Sequence, residues 1–158
     1  MVQTAYGFNT PIGQAGGLYD LSPVEIDAFI NEAADGELAF GMGAVQGSAP
    51  GTGVALPTAS TSAFEGIVVN RRTTENNDLG VPVIKNKATV GVLRYGRAWA
   101  RLASGVTPSY GAVPYLVLSG TDAGCFTTDA TSNAAVKGRF LTPAFDGIAA
   151  IELFNPNV

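Results

Sequence analysis

Few residues in this chain could do chemistry, and their spacing limits what that chemistry could be. Carboxylates are the main candidates: Glu25 and Asp27, two apart, share a face if the segment is extended, and Asp122 and Asp129 flank one short apolar run. Two carboxylates at a glycosidase-like separation could serve as acid and base. Acidic residues in turns and on strand faces are ordinarily just solvated, however, and no convergent pocket can be read around either pair. With no histidine, the chain cannot build Ser-His-Asp or Cys-His nucleophile activation, nor a His-containing zinc site. Cys125 stands alone, which excludes an intrachain disulfide and a four-cysteine metal site and fits a reducing compartment. Gly41-Met42-Gly43-Ala44-Val45-Gln46 departs from the dinucleotide fingerprint at its last position, and Gly51-Thr52-Gly53 is not followed by Gly-Lys-Ser/Thr. These residues call for no cofactor and no metal.

The elements that would have to position them read as strands. Glycine at 20 residues and proline at 9, in a chain of 158, argue for many turns and against long helices. Two apolar runs, Ala39–Val45 and Phe64–Val69, flank an uncharged connection, 46–63, too long for an ordinary hairpin turn and therefore functional or mobile. Gly41 and Gly43 alternate with larger residues, so one face admits a backbone or an aromatic ring at close range. Ser22-Pro23-Val24-Glu25 has the form of a helix start. Yet Val24, Ile26, Ala28 and Ile30 alternate with Glu25, Asp27 and Asn31, and this period predicts a strand. Asp35-Gly36 suits a hairpin turn into Leu38-Ala39-Phe40. Further strands are predicted at Val81–Ile84, Ala88–Leu93, Arg97–Leu102 and Pro114–Leu118, with Gly96 as a bulge or a reversal. Cys125–Thr128 reads as an edge piece, and Val136–Leu141 with Ile148–Leu153 as the last strand pair. The flanking alternation sets Trp99 beside Arg97 and Arg101, where a tryptophan is ordinarily a core anchor.

The predicted class is therefore all-β: a compact β-barrel or sandwich of short antiparallel strands, with an extended N-terminal arm and a long Gly/Ser/Pro loop. Residues 1–21 form the arm and 22–158 a single β-rich domain. Tyr6, Phe8, Ile12, Leu18 and Tyr19 cannot be buried within the arm itself, so it must lie on its own domain or on a neighbour. Charged residues are only 14% of the chain, so a partner surface is one way to cover part of the exterior. The formal charge of −4 argues against nucleic acid, whose phosphates need clustered Lys and Arg. The small basic clusters, Arg71-Arg72, Lys85 with Lys87, and Arg94/Arg97/Arg101, read as solvated strand ends or inter-subunit salt bridges. No apolar run approaches the length that spans a bilayer, and Met1–Tyr6 lacks the pattern of a signal peptide, so neither a membrane nor secretion is expected.

From Ser22 to Leu153 the chain resembles the head cement, or capsid decoration, proteins of tailed bacteriophages. The residues that carry this are Pro23-Val24-Glu25-Ile26-Asp27, Phe40-Gly41-x-Gly43-x-Val45-Gln46-Gly47, Leu56-Pro57-Thr58 and Phe64-x-Gly66-Ile67-Val68-Val69. Gly91-Val92-Leu93, Gly96-Arg97-Ala98-Trp99, Gly138-Arg139-Phe140-Leu141-Thr142 and Gly147-Ile148-Ala149-x-Ile151-Glu152-Leu153 follow in order. The chain departs from the pattern at Gly111-Ala112-Val113-Pro114-Tyr115, where a Gly-Asp-Pro-Val-Tyr-like run is expected. The resemblance implies a non-enzymatic virion protein. It would bind the outer surface of the icosahedral capsid at junctions between copies of the major capsid protein and lock the shell against internal pressure. It would act as a homotrimer, or else a dimer, assembled in the host cytoplasm. Candidate contact residues for the capsid or a neighbouring subunit are Tyr6, Phe8, Ile12, Leu18, Tyr19, Leu56, Arg71 and Arg72. Two other readings compete: a tail- or baseplate-associated β domain of the virion, and a carbohydrate-binding β domain. The few aromatics in the loops weigh against the second.

Overall fold

The computed structural model describes residues 12–58, 63–70, 75–76 and 79–155. Those residues contain no helix. Their strands are β1 (Glu25–Asn31), β2 (Gly43–Gln46), β3 (Gly53–Ala55), β4 (Phe64–Val68), β5 (Glu75–Asn76), β6 (Pro82–Val83), β7 (Thr89–Arg101), β8 (Tyr115–Leu116), β9 (Phe126–Thr127), β10 (Ala134–Ala135), β11 (Gly138–Phe140) and β12 (Ile148–Leu153). The main sheet runs β1-β3-β2-β4-β7-β12-β11, and β1 also pairs with β7. That extra pairing closes β1, β3, β2, β4 and β7 into a five-stranded ring, which removes most of the open edge a sheet would otherwise expose. All contacts in the ring are antiparallel except β1 with β3, which is parallel. A small sheet, β10-β8-β9, packs against the outside of the ring, with β9 at its edge as the sequence predicts.

β7 is the element on which both halves are built. The sequence suggests two strands here; the structure has one strand of 13 residues with a bulge. Opposite it the register of β1 slips between Glu25 and Ile26, where Glu25 meets Tyr95 and Ile26 meets Leu93. Gly96, at φ 121°, supplies the backbone conformation that a residue with a side chain rarely adopts. A one-residue slip exchanges the two faces of a strand. Before the bulge, Val90 and Val92 point into the ring with Phe29, Leu38, Ala44, Val54 and Val68. Beyond it, Ala98 and Ala100 join Leu93 in a second core with Ile67, Leu116, Phe126, Phe140 and Ile151, beneath the small sheet. β12 and β11 extend this second half through the register Ile151↔Ala98 and Phe140↔Ile151, so the last predicted strand pair forms.

Three readings of the sequence change. Asp35-Gly36 is a turn, with Gly36 at φ 78°, but Leu38–Phe40 is not a strand and no hairpin forms. β1 instead finds its partners in β7 and β3, with Asn31 at its end fully buried. Its side-chain amide donates to the carbonyl of Lys85 at 3.0 Å, and its Oδ1 accepts from the N–H of Ala33 at 2.9 Å. Second, the connection 46–63 is not loop throughout. It carries β3, whose Val54 is fully buried, and the Glu32 carboxylate holds the turn before it by accepting the N–H of Ser48 at 2.7 Å. Third, Trp99 is buried, but its cover comes from outside both cores. Tyr19 and Phe145 pack edge-on against its ring, and a Cβ added at Gly13 would overlap it. Glycines at 41 and 43 do allow the predicted close approach: Gly43 lies against Leu116, Phe126 and Phe64, and Gly41 against Ala15 and the Trp99 carbonyl.

Candidate interaction surface

Residues 16–19 lie along the second half of β7. Gly16 and Tyr19 donate their N–H groups to the carbonyls of Trp99 and Arg97, and Trp99 donates to Gly17, at 2.8–3.0 Å. This part of the arm lies on its own domain, one of the two placements the sequence allows. An ion pair tightens it. Arg97 Nη1 donates to Asp20 Oδ2 at 2.9 Å and Nη2 reaches Glu152 Oε1 at 3.4 Å, while Arg139 Nε donates to Glu152 Oε2 at 2.7 Å. Hydrogen bonds from Ser22 and then the Arg97 guanidinium hold the Asp20 carboxyl below its ordinary range. The same contacts push Arg97 further into its charged form, Asp20 first and Glu152 second.

Three further basic residues also find partners within the chain. Arg94 meets Asp27 at 3.2 Å and the largely buried Glu65 at 3.8 Å, Lys85 meets Asp35 at 3.5 Å, and Arg101 Nε donates to the Phe40 carbonyl at 2.7 Å. The carboxylates do not converge. Asp27 is held by Arg94, Asp122 accepts the N–H of Ser104 at 3.1 Å, and Asp129 accepts that of Thr131 at 2.9 Å. Burial pushes the Cys125 thiol up, so it stays protonated at neutral pH. Among the described residues no cluster of three or more acidic or cysteine side chains could hold a metal ion.

Of the contact candidates, Tyr6, Phe8, Arg71 and Arg72 lie outside the described residues. Leu56 is half-buried against the barrel core, next to Met42 and Gly124. Tyr19 divides its ring between solvent and Trp99, while Ile12 and Leu18 are exposed. Following them in sequence are exposed apolar residues that sequence reasoning did not single out as contacts: Leu21, fully exposed, and Val24, Ile26 and Ile30. Seven of the twelve large exposed apolar side chains among the described residues therefore fall between Ile12 and Ile30. The signal was visible as the alternation along β1, but such a pattern ordinarily turns its apolar face inward. Here Phe29 and Asn31 take the inside, and Ile26, at 41% exposure, and Ile30, at 47%, face water. The outward face joins Val69 and Gly91 around an open depression of about 290 Å³ lined also by Asp27 and Ala28. Asp27 is the one titratable side chain in that lining, among the small or apolar residues Ile26, Ala28, Val69 and Gly91.

No curated protein matches the chain. In a solved structure titled "The capsid of Myoviridae Phage XM1", one chain superposes with a TM-score of 0.77 over 98% of both chains at 18% identity, so the two share a fold. The sequence model of the phage structural cement proteins, described by E217 gp24 and Pam3 gp6, matches residues 2–154. That match takes in the arm, the barrel and both added strands, and by it the chain belongs to the phage structural cement protein family.

Proposed function

We propose that this cement protein binds the outer surface of the icosahedral head at junctions between major capsid proteins, holding the lattice together without catalysing a reaction. The observation that carries this reading is the run of exposed apolar side chains between Ile12 and Ile30, on the arm and on β1 of a closed barrel. A rigid body with one apolar strip spends little entropy on ordering itself when it docks, so the contact energy goes into clamping. Repetition over many equivalent lattice sites then makes modest contacts effective together. The segments best suited to bridge neighbours are the arm, with Tyr6, Phe8, Ile12, Leu18 and Tyr19, and the basic pair Arg71 and Arg72. Self-association as a trimer, in preference to a dimer, would match the corners of such a lattice, and assembly would take place in the host cytoplasm.

Purified protein added to expanded empty heads is expected to co-sediment with them and to raise their melting temperature. Unchanged head melting at saturating protein rejects the reading, as does label at the tail when virions carrying a tagged C-terminus are imaged by electron microscopy.

A further inference from the structure

Part of the edge of β1 is open. Asn31 donates its N–H to the Ala88 carbonyl and accepts from Lys87, whereas Ile30 donates the other way, to Thr52. This direction alternates residue by residue in an antiparallel pair. With Asp27 opposite Val92 and Phe29 opposite Val90, the backbone groups of Asp27 and Phe29 turn to β7, and those of Ile26 and Ala28 turn away from it. β3 meets β1 only at Ile30 and Asn31. Among the described residues nothing pairs with Ile26 or Ala28 on that side.

An open edge beside exposed apolar side chains is a template for another strand, and proteins usually blunt it with charge, proline or a bulge. Pro23 stops short of this one, and the outward residues Ile26, Ala28 and Ile30 carry no charge. The side chains on the opposite face decide the occupant. Glu25 and Asp27 lie there, and among the described residues only Asp27 has a cation, Arg94. A second copy pairing antiparallel at this edge would set these carboxylates against their own kind, which is unfavourable across strands. A segment with apolar residues at alternate positions and Lys or Arg between them would satisfy both faces.

We propose that the Ile26–Ala28 edge of β1 receives an extended segment of the major capsid protein, added as a further strand with its apolar residues over Ile26, Ala28 and Ile30 and a basic residue beside Glu25. This rests on the head-binding reading above and names the surface that does it. Strand addition of this kind draws affinity from main-chain hydrogen bonds and specificity from alternate side chains.

The test is amide hydrogen exchange on the full-length protein, free and bound to expanded cement-free heads, with Ile26→Lys and Ala28→Pro alongside. Neither substitution removes a hydrogen bond the fold uses, and unchanged melting of the free variants will show that they fold. The amides of Ile26 and Ala28 are expected to exchange fast in the free protein and at least tenfold more slowly on heads. Each variant is expected to lose at least tenfold in head affinity. Should Ala28→Pro fail to fold, Ile26→Lys and the exchange experiment decide alone. Binding without protection at these amides overturns this inference and leaves head binding standing; wild-type protein that ignores heads overturns both. Protection of the same amides in concentrated free protein, with a dimer in sedimentation, also overturns it in favour of a second copy.

Discussion

Trp99 shows how a single side chain can be buried without belonging to a core. It is 4% exposed, yet the atoms that cover it come from the arm and from the turn at Phe145. Trp99→Ala should cost about 3–5 kcal/mol in urea unfolding, the range for truncating a buried aromatic. The free energy will be lost at the junction of arm and barrel, so exchange at the Gly16 and Tyr19 amides should rise along with the global loss. The sequence marks Trp99 as an anchor by its type and by the alternation around it. It gives no sign that the cover is a segment eighty residues upstream in sequence, because a period-2 pattern carries no information about distant pairing.

At the scale of elements, the bulge in β7 lets one strand serve two cores. Gly96→Val places a branched residue at φ 121°, with its Cβ 2.7 Å from the side chain of Val24. A loss of about 2–3 kcal/mol in thermal or urea unfolding is expected, in line with the cost of a forced backbone conformation. The sequence shows Gly96 as punctuation but leaves bulge and reversal equal, since a glycine suits both; the continuous pairing of β7 with β1 and β12 settles it. The arm is the second element with a measurable share. Among the described residues, deleting 1–20 removes four backbone hydrogen bonds that tie the arm to the rest of the chain, from Gly16 and Tyr19 to β7, from Trp99 to Gly17 and from Asn70 to Gly16. At about 1 kcal/mol net each, with the Trp99 cover lost as well, stability should fall by several kcal/mol. Both cores lie outside the deleted segment, so the protein should still fold, with red-shifted tryptophan fluorescence reporting the uncovered ring.

For the whole molecule, the acidic side of its stability curve follows from hydrogen-bonded carboxylates, of which Asp20, Glu32 and Asp35 also join distant segments. Asp20, Glu32, Asp35 and Asp129 are all held below their ordinary range by hydrogen bonds, first of all from Ser22, Ser48, Asn86 and Thr131 respectively. A lowered folded value means these groups contribute in full above the ordinary carboxylate range, near pH 4, and lose that contribution as pH falls through the lowered values. The melting temperature should therefore be flat from about pH 7 to pH 5 and drop steeply below pH 4. Glu32→Gln should soften that drop while lowering stability at neutral pH, because the loop 47–49 loses its charged acceptor. A protein whose melting temperature is the same at pH 3 and pH 7 would contradict this account.

The amino-acid sequence by itself determined the class: turn residues every few positions and period-2 patterning leave an all-β chain with no constellation of reactive groups, and the order of its motifs marks the cement family. It also located the last strand pair and the strand character of β1, because each depends on neighbours in sequence. Only the tertiary structure decided that β1 closes a ring, that Ile26, Ala28 and Ile30 face outward, and that Leu56 packs half-buried against the barrel core. Patterning says which side chains share a face; which face finds a cover depends on pairings between residues tens of positions apart. The ring of β1, β3, β2, β4 and β7 fills its own interior with Phe29, Val54, Val68 and Val92. Ile26 and Ile30 are then left on the outside, where another protein can cover them.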